Sequence, residues 1–200
     1  MGKVCLPLIG AFAPAMLLLV QPAPSNAQAV GSADAPALTV LVRHADRAST
    51  PADDPLLTAA GAKRAEDLAA ALRDTKFSAI ITTQLIRTRD TASPIAAALG
   101  IVPEIVAINP GQADAHVKAI EGAVHKHAGE IVLVVNHSNM LPAIVAALGG
   151  PRLGPICESI YDDLFILIPG SGKMNFVHSR YGAATPPGPD CPTMQSGGAR

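Results

Sequence analysis

Short apolar runs alternate along this chain with longer segments whose apolar residues recur at helical spacing, and turn-forming residues separate them. The run 38–42 (LTVLV) is apolar, as expected of a strand buried on both sides, and the strand is predicted over about 38–43. Thr58 is placed to cap a helix running to about 73. Gly61 stands where a capping box needs Glu, so alanine-rich periodicity carries this helix. A second short strand is predicted over 77–82. A helix follows over 84–99, ended by Gly100 just past its C-terminus, with Pro94 predicted to kink it. A third strand is predicted over 102–108, turned by Asn109-Pro110-Gly111, and a third helix over 113–126. The run 131–135 (IVLVV) is mostly β-branched and reads as a central buried strand. A further helix reaches about 148 and is closed by Gly149-Gly150. Strands over 163–168 and 173–178 flank Pro169-Gly170-Ser171-Gly172, a hairpin signal.

Strand–helix alternation through 148 implies right-handed crossovers and a mostly parallel sheet. The expected fold is a three-layer α/β/α domain over 38–181, with the closing hairpin adding an antiparallel strand. Residues 28–37 read as a small-residue linker, and 182–200, rich in Pro and Gly, as a tail.

The N-terminus is a separate object. Lys3 precedes an apolar stretch from Leu6 to Val20 that contains Pro7 and Pro14, and Ser25-Asn26-Ala27 supplies small residues for cleavage. Residues 1–27 therefore read as a secretory signal peptide, cleaved after Ala27 or, second, after Ala29. A membrane anchor is the alternative, but about 20 apolar residues are needed to span a bilayer. Cys5 sits too early for lipid attachment. Export would leave Cys157 and Cys191, an even pair that an oxidising compartment permits to bridge; two free thiols are the other reading.

Composition narrows the function classes. The whole chain has 15 basic and 16 acidic residues, a net charge of −1, and no basic stripe, so nucleic acid is not an expected partner. With no Trp, 2 Tyr and 4 Phe, the core must be aliphatic, which suits helices on a parallel sheet.

Chemistry concentrates at strand ends. The first strand releases Arg43-His44, the second leads into Thr83 to Ala92, and the central strand releases Asn136-His137-Ser138-Asn139. In a parallel sheet these ends share one edge, where ligands bind. Helix N-termini converge there and favour anions.

These segments resemble the histidine phosphatase superfamily, which includes phosphoglycerate mutase and the acid phosphatases. Arg43-His44-Ala45 matches the motif after the family's first strand. Leu57-Thr58-Ala59-Ala60-Gly61-Ala62-Lys63-Arg64-Ala65 matches the opening of its first helix. Thr83, Arg87, Thr91 and Ala92 match the next segment, and Asn136-His137 the last. The absence of large insertions resembles the compact exported bacterial branch. The resemblance implies a phosphoglycerate mutase-like fold and a metal-independent phosphatase acting through phosphohistidine. His44 would be the nucleophile, and Arg43, Arg87 and His137 would hold the phosphoryl oxygens. Ser138 and Asn139 either donate to phosphate or cap the following helix. Candidate proton donors are Glu104 and Asp114; a third reading has no acid at all, as for substrates with good leaving groups.

Other residues receive structural readings. Arg89 points away from the Thr83–Arg87–Thr91 face. Asp46 and Arg47 could touch substrate, Asp53 and Asp54 decorate a loop, and Tyr161-Asp162-Asp163 forms a turn near the pocket. His116, His125, His127 and His178 read as surface histidines. His125 and His127 have metal-like spacing without a third ligand nearby, so neither metal nor cofactor is expected. The expected partner is a small phosphorylated substrate or a phosphorylated surface molecule. The alternatives are a phosphate-binding or scaffold protein without turnover, and a phosphoglycerate mutase-type phosphotransferase.

Overall fold

The structure, a computed structural model, describes residues 1–2, 36–189 and 191. Apart from Met1 and Gly2, the expected signal peptide lies outside those residues, as does the linker up to residue 35 and the tail from 192 on. The elements are β1 (Leu38–Arg43), α1 (Ala59–Ala71), β2 (Ala79–Thr82), α2 (Ile86–Leu99) and β3 (Glu104–Ile105). They continue with α3 (Ala113–His125), β4 (Ile131–Asn136), α4 (Leu141–Ala147), β5 (Asp163–Pro169) and β6 (Met174–Arg180).

One sheet has the order β3-β2-β4-β1-β5-β6. β3, β2, β4 and β1 run parallel, and β5 and β6 close the sheet antiparallel. β1 and β4 are in register from Leu38 on Ile131 to Arg43 on Asn136, so their functional residues emerge side by side. The two faces follow strand alternation. Val40, Val42, Ile80, Leu133 and Val135 pack with Leu68 of α1 and Ile95 of α2. Leu41, Ile81, Val132 and Val134 pack with Ile120 of α3 and Ile144 of α4. The result is the three-layer, mostly parallel architecture that the alternation predicts.

Local chemistry explains the boundaries. Thr58 Oγ1 accepts from Gly61 N at 3.1 Å and starts α1. Gly100, at φ 66°, ends α2 in the left-handed conformation that glycine tolerates. Pro94 lies inside α2 without ending it. The third strand is much shorter than predicted. Only Glu104 and Ile105 pair with β2, because Pro103 lacks an amide hydrogen and this is the sheet's edge. Residues 182–189 lie against the 157–163 segment: Tyr161 N donates to Thr185 Oγ1 at 3.0 Å and Gly188 N to Ser159 Oγ at 2.9 Å.

Gly61 is required by close approach, since a Cβ there would lie 2.0 Å from Asp46 O on the loop after β1. At Gly122, within α3, a Cβ would meet nothing within 4 Å. Urea unfolding should therefore show Gly61→Ala destabilising the protein by about 2 kcal/mol. Gly122→Ala should stabilise it by roughly 0.5–1 kcal/mol.

Candidate active site

The carboxyl ends of β1, β2 and β4 form the site. At the exit of β1, His44 N donates to Asn136 O (2.8 Å) and Ala45 N to Thr91 Oγ1 (2.8 Å), so β4 and α2 hold the turn. The His44 ring, 3% exposed, has Nδ1 2.9 Å from Ala45 O. Nδ1 therefore carries the hydrogen and donates, which leaves a lone pair on Nε2. Burial pushes the imidazole pKa down to about 3 against the pull of the Ala45 carbonyl, and the charges of Arg43, Arg87 and Arg47 push the same way as burial. His44 is neutral and has one free nucleophilic nitrogen.

His137, at the exit of β4, is positioned from both sides. Its backbone N donates to Asn136 Oδ1 at 2.9 Å, and Asn136 Nδ2 donates to His116 Nε2 at 3.1 Å. His116 Nδ1 in turn donates to Ala107 O at 3.1 Å. His116 is thus buried at 2% exposure and corrects its reading as a surface histidine: α3 turns it inward to hold Asn136. On the other side, His137 Nε2 lies 3.2 Å from Thr83 Oγ1, which lies 2.9 Å from Thr88 Oγ1. Thr88 spends its hydrogen on Leu85 O at 2.8 Å, so Thr83 donates to Thr88 and accepts from His137 Nε2. The His44 and His137 ring centroids are 5.4 Å apart. Burial pushes His137 down to about 3, and His44, Arg87, His116 and Arg43 push the same way.

Two arginines face these rings. Arg43 is buried, with Nη1 donating to the carbonyls of Cys157 (3.1 Å), Glu158 (2.9 Å) and Ile160 (2.8 Å). Its Nη2 pairs with the Glu158 carboxylate at 2.7 Å, and the Tyr161 ring lies 4.0 Å from its guanidinium carbon. Arg87 is held by Asp54, 3.5 Å from its Nη1, and Asp54 also accepts from Ile86 N at the start of α2. Among the described residues, Nε of Arg43 and Nε of Arg87 are both buried without a hydrogen-bond partner. Two orphaned donors beside two neutral imidazoles fit a tetrahedral oxyanion.

The structure thus brings His44, Arg43, Arg87 and His137 to one place. Ser138 donates to the Glu158 carboxylate. The position before α4 is Met140 and has no side-chain cap, so neither Ser138 nor Asn139 serves there. Asn139 lines a surface groove with Asp53, Gln84 and Asn109. Glu104 pairs with Lys126 and His127, and neither it nor Asp114 contacts the four central side chains. Asp46 pairs with Arg64 at 2.7 Å. A disulfide joins Cys157 to Cys191, with Cα atoms 5.3 Å apart. Among the described residues no cluster of metal-ligating side chains occurs. Glu158 and the anchoring role of Asp54 escape sequence reasoning, because neither sits in a motif.

Residues 39–108 match the profile of the histidine phosphatase superfamily (branch 1). In structure the chain is similar to the protein histidine phosphatase SixA complexed with tungstate, at 16% identity and a TM-score of 0.54 over 72% of this chain and 96% of that one. A mycobacterial glucosyl-3-phosphoglycerate phosphatase is similar at 14% identity and a TM-score of 0.52, over 74% of this chain and 99% of that one. An Agrobacterium tumefaciens protein described as a candidate phosphohistidine phosphatase SixA reaches 25% identity and a TM-score of 0.51, over 74% and 98%. The shared fold is phosphoglycerate mutase-like. No curated protein matches the chain.

Two histidines held neutral make stability acid-sensitive. Unfolded, each takes up a proton near its ordinary value of 6.5; folded, only near 3. Between those limits the unfolded state binds more protons, so stability is full above pH 6.5 and falls with pH, by up to about 1.4 kcal/mol per unit for each group. Urea unfolding at pH 7, 6 and 5 should show this loss, and His137→Ala should show a shallower one.

Proposed function

We propose that this chain, whose residues 39–108 match the histidine phosphatase superfamily profile, is an exported phosphomonoesterase working through a phosphohistidine on His44, without a metal ion. The His44 Nε2 lone pair attacks phosphorus while the bond to the ester oxygen breaks, and the departing oxygen takes a proton. Water then attacks the phosphohistidine. The phosphorus–nitrogen bond breaks, inorganic phosphate leaves, and the Nε2 lone pair is restored. Arg43 and Arg87 hold the phosphoryl oxygens as their charge shifts, and His137 joins them by turning its Nε2 hydrogen from Thr83 to the anion, which is the main catalytic task in phosphoryl transfer.

The observation that carries this reading is the pair of buried, partnerless Nε donors of Arg43 and Arg87, both close enough to His44 to act on its charge. With Glu104 and Asp114 engaged or placed elsewhere, and the Ser138 hydrogen on Glu158, the leaving group draws its proton from solvent. Substrates with good leaving groups, such as aryl phosphates and phosphoramidates, suit that arrangement. Export is supported by the N-terminal pattern and by the Cys157–Cys191 bridge. The partner class is a small phosphorylated molecule or a phosphorylated surface molecule.

Incubation with an aryl phosphate in EDTA should release phosphate, and His44→Ala should lower that rate by at least about a thousandfold. Activity surviving in His44→Ala overturns the proposal. Phosphate binding by calorimetry without turnover of any ester would instead make the protein a phosphate-binding module.

A further inference from the structure

We propose that Glu158 is the positioning residue of this site: its carboxylate aims the Arg43 guanidinium and tunes the pocket's affinity for anions. The inference rests on the phosphatase reading and deepens it. Arg43 is 1% exposed, whereas the Glu158 side chain is 70% exposed, so one end of the pair is locked in the protein and the other faces solvent. Glu158 contributes twice to the same guanidinium, its carbonyl to Nη1 and its carboxylate to Nη2. Two Nη1 hydrogens serve three carbonyls and one Nη2 hydrogen serves the carboxylate, which leaves Nε–H and one Nη2 hydrogen. Those remaining donors form the forked edge that binds phosphate in two places.

The second carboxylate oxygen accepts the Ser138 hydroxyl, next to His137. One side chain therefore bridges the exits of β1 and β4, the strands that release the two histidines. Ser138 has a single hydrogen, and Glu158 takes it, so Ser138 anchors Glu158 rather than donating to phosphate. Burial pushes the Glu158 carboxyl up, but the Ser138 hydroxyl and the Arg43 charge outweigh it and hold the group ionised. An ionised carboxylate beside an anion site weakens anion binding. Among the described residues it is the one acidic side chain hydrogen-bonded to Arg43. It serves as an aiming device and as a counter-charge.

Two substitutions separate these parts. Glu158→Gln keeps an oxygen for Arg43 and an amide for Ser138 but removes the charge. Glu158→Ala removes both. With an aryl phosphate, kcat should fall at least about thirtyfold in Glu158→Ala and only about threefold in Glu158→Gln. Inorganic phosphate should inhibit Glu158→Gln about three- to tenfold more tightly than wild type. Unchanged kcat in a folded Glu158→Ala overturns the proposal. Equal losses in both variants, with loss of the acidic limb of the pH profile, would make Glu158 a proton donor and overturn it too. If wild-type protein hydrolyses no ester, the phosphatase reading fails by itself. Calorimetry must then still show tighter phosphate binding in Glu158→Gln, and unchanged affinity overturns the positional claim.

Discussion

A guanidinium removed from water costs several kcal/mol unless acceptors meet its hydrogens. Arg43 is almost wholly buried, and no acceptor comes from β1 itself. They come from the 157–160 loop, 114 to 117 residues later in the chain. Compensating this one charge dictates much of the rest. The loop must turn three carbonyls toward one nitrogen, so it must be rigid. The Cys157–Cys191 bridge and the hydrogen bonds of Ser159 and Tyr161 to the 185–188 segment supply that rigidity. The described part of the C-terminal segment is therefore part of the site's framework, although it makes no hydrogen bond to the four central side chains.

The second constraint is charge crowding. Arg43, Arg87 and Arg47 all act on His44, and Glu158 and Asp54 are the carboxylates paired with two of them. A cationic pocket that also excludes water leaves an imidazole one stable form, the neutral one. The Ala45 carbonyl then selects which nitrogen keeps the hydrogen. The neutral ring, its tautomer and the cationic cradle thus follow from placing one arginine at the end of β1 and another in the first turn of α2.

Much of this was legible in the sequence. Uninterrupted apolar runs marked β1 and β4, because strands covered by helices on both faces carry no polar side, and Arg43, His44 and His137 followed directly. Arg87 was legible from its spacing to Thr83 and Thr91, although Thr83 turned out to precede α2 and to orient His137. What escaped depends on long-range contacts. His116 looks like any helical histidine until α3 packs against β4, and only then does its ring meet Asn136. Glu158 lies in a stretch without periodicity, where nothing local says that its carboxylate will meet a strand end. The third strand was over-read because 102–108 has strand-like composition, whereas edge pairing is settled by neighbours rather than by propensity.

The burial that readies His44 also makes the ligand-free protein acid-labile, and the site's chemistry limits the cost. On the proposed reading, a phosphoryl group beside both rings would favour their protonated forms and meet the Nε donors of Arg43 and Arg87, which have no partner. Anion binding and proton uptake are therefore linked: the histidines that resist protons in the free protein accept them more readily with an anion bound, and the bound state loses less stability as pH falls. The same linkage explains a carboxylate at the rim of so positive a pocket. On the proposed phosphatase reading, a product phosphate in a protein without Glu158 would meet an uncompensated Arg43 and leave slowly. With it, Arg43 keeps a resident counter-charge, and a phosphate must exceed that charge to stay.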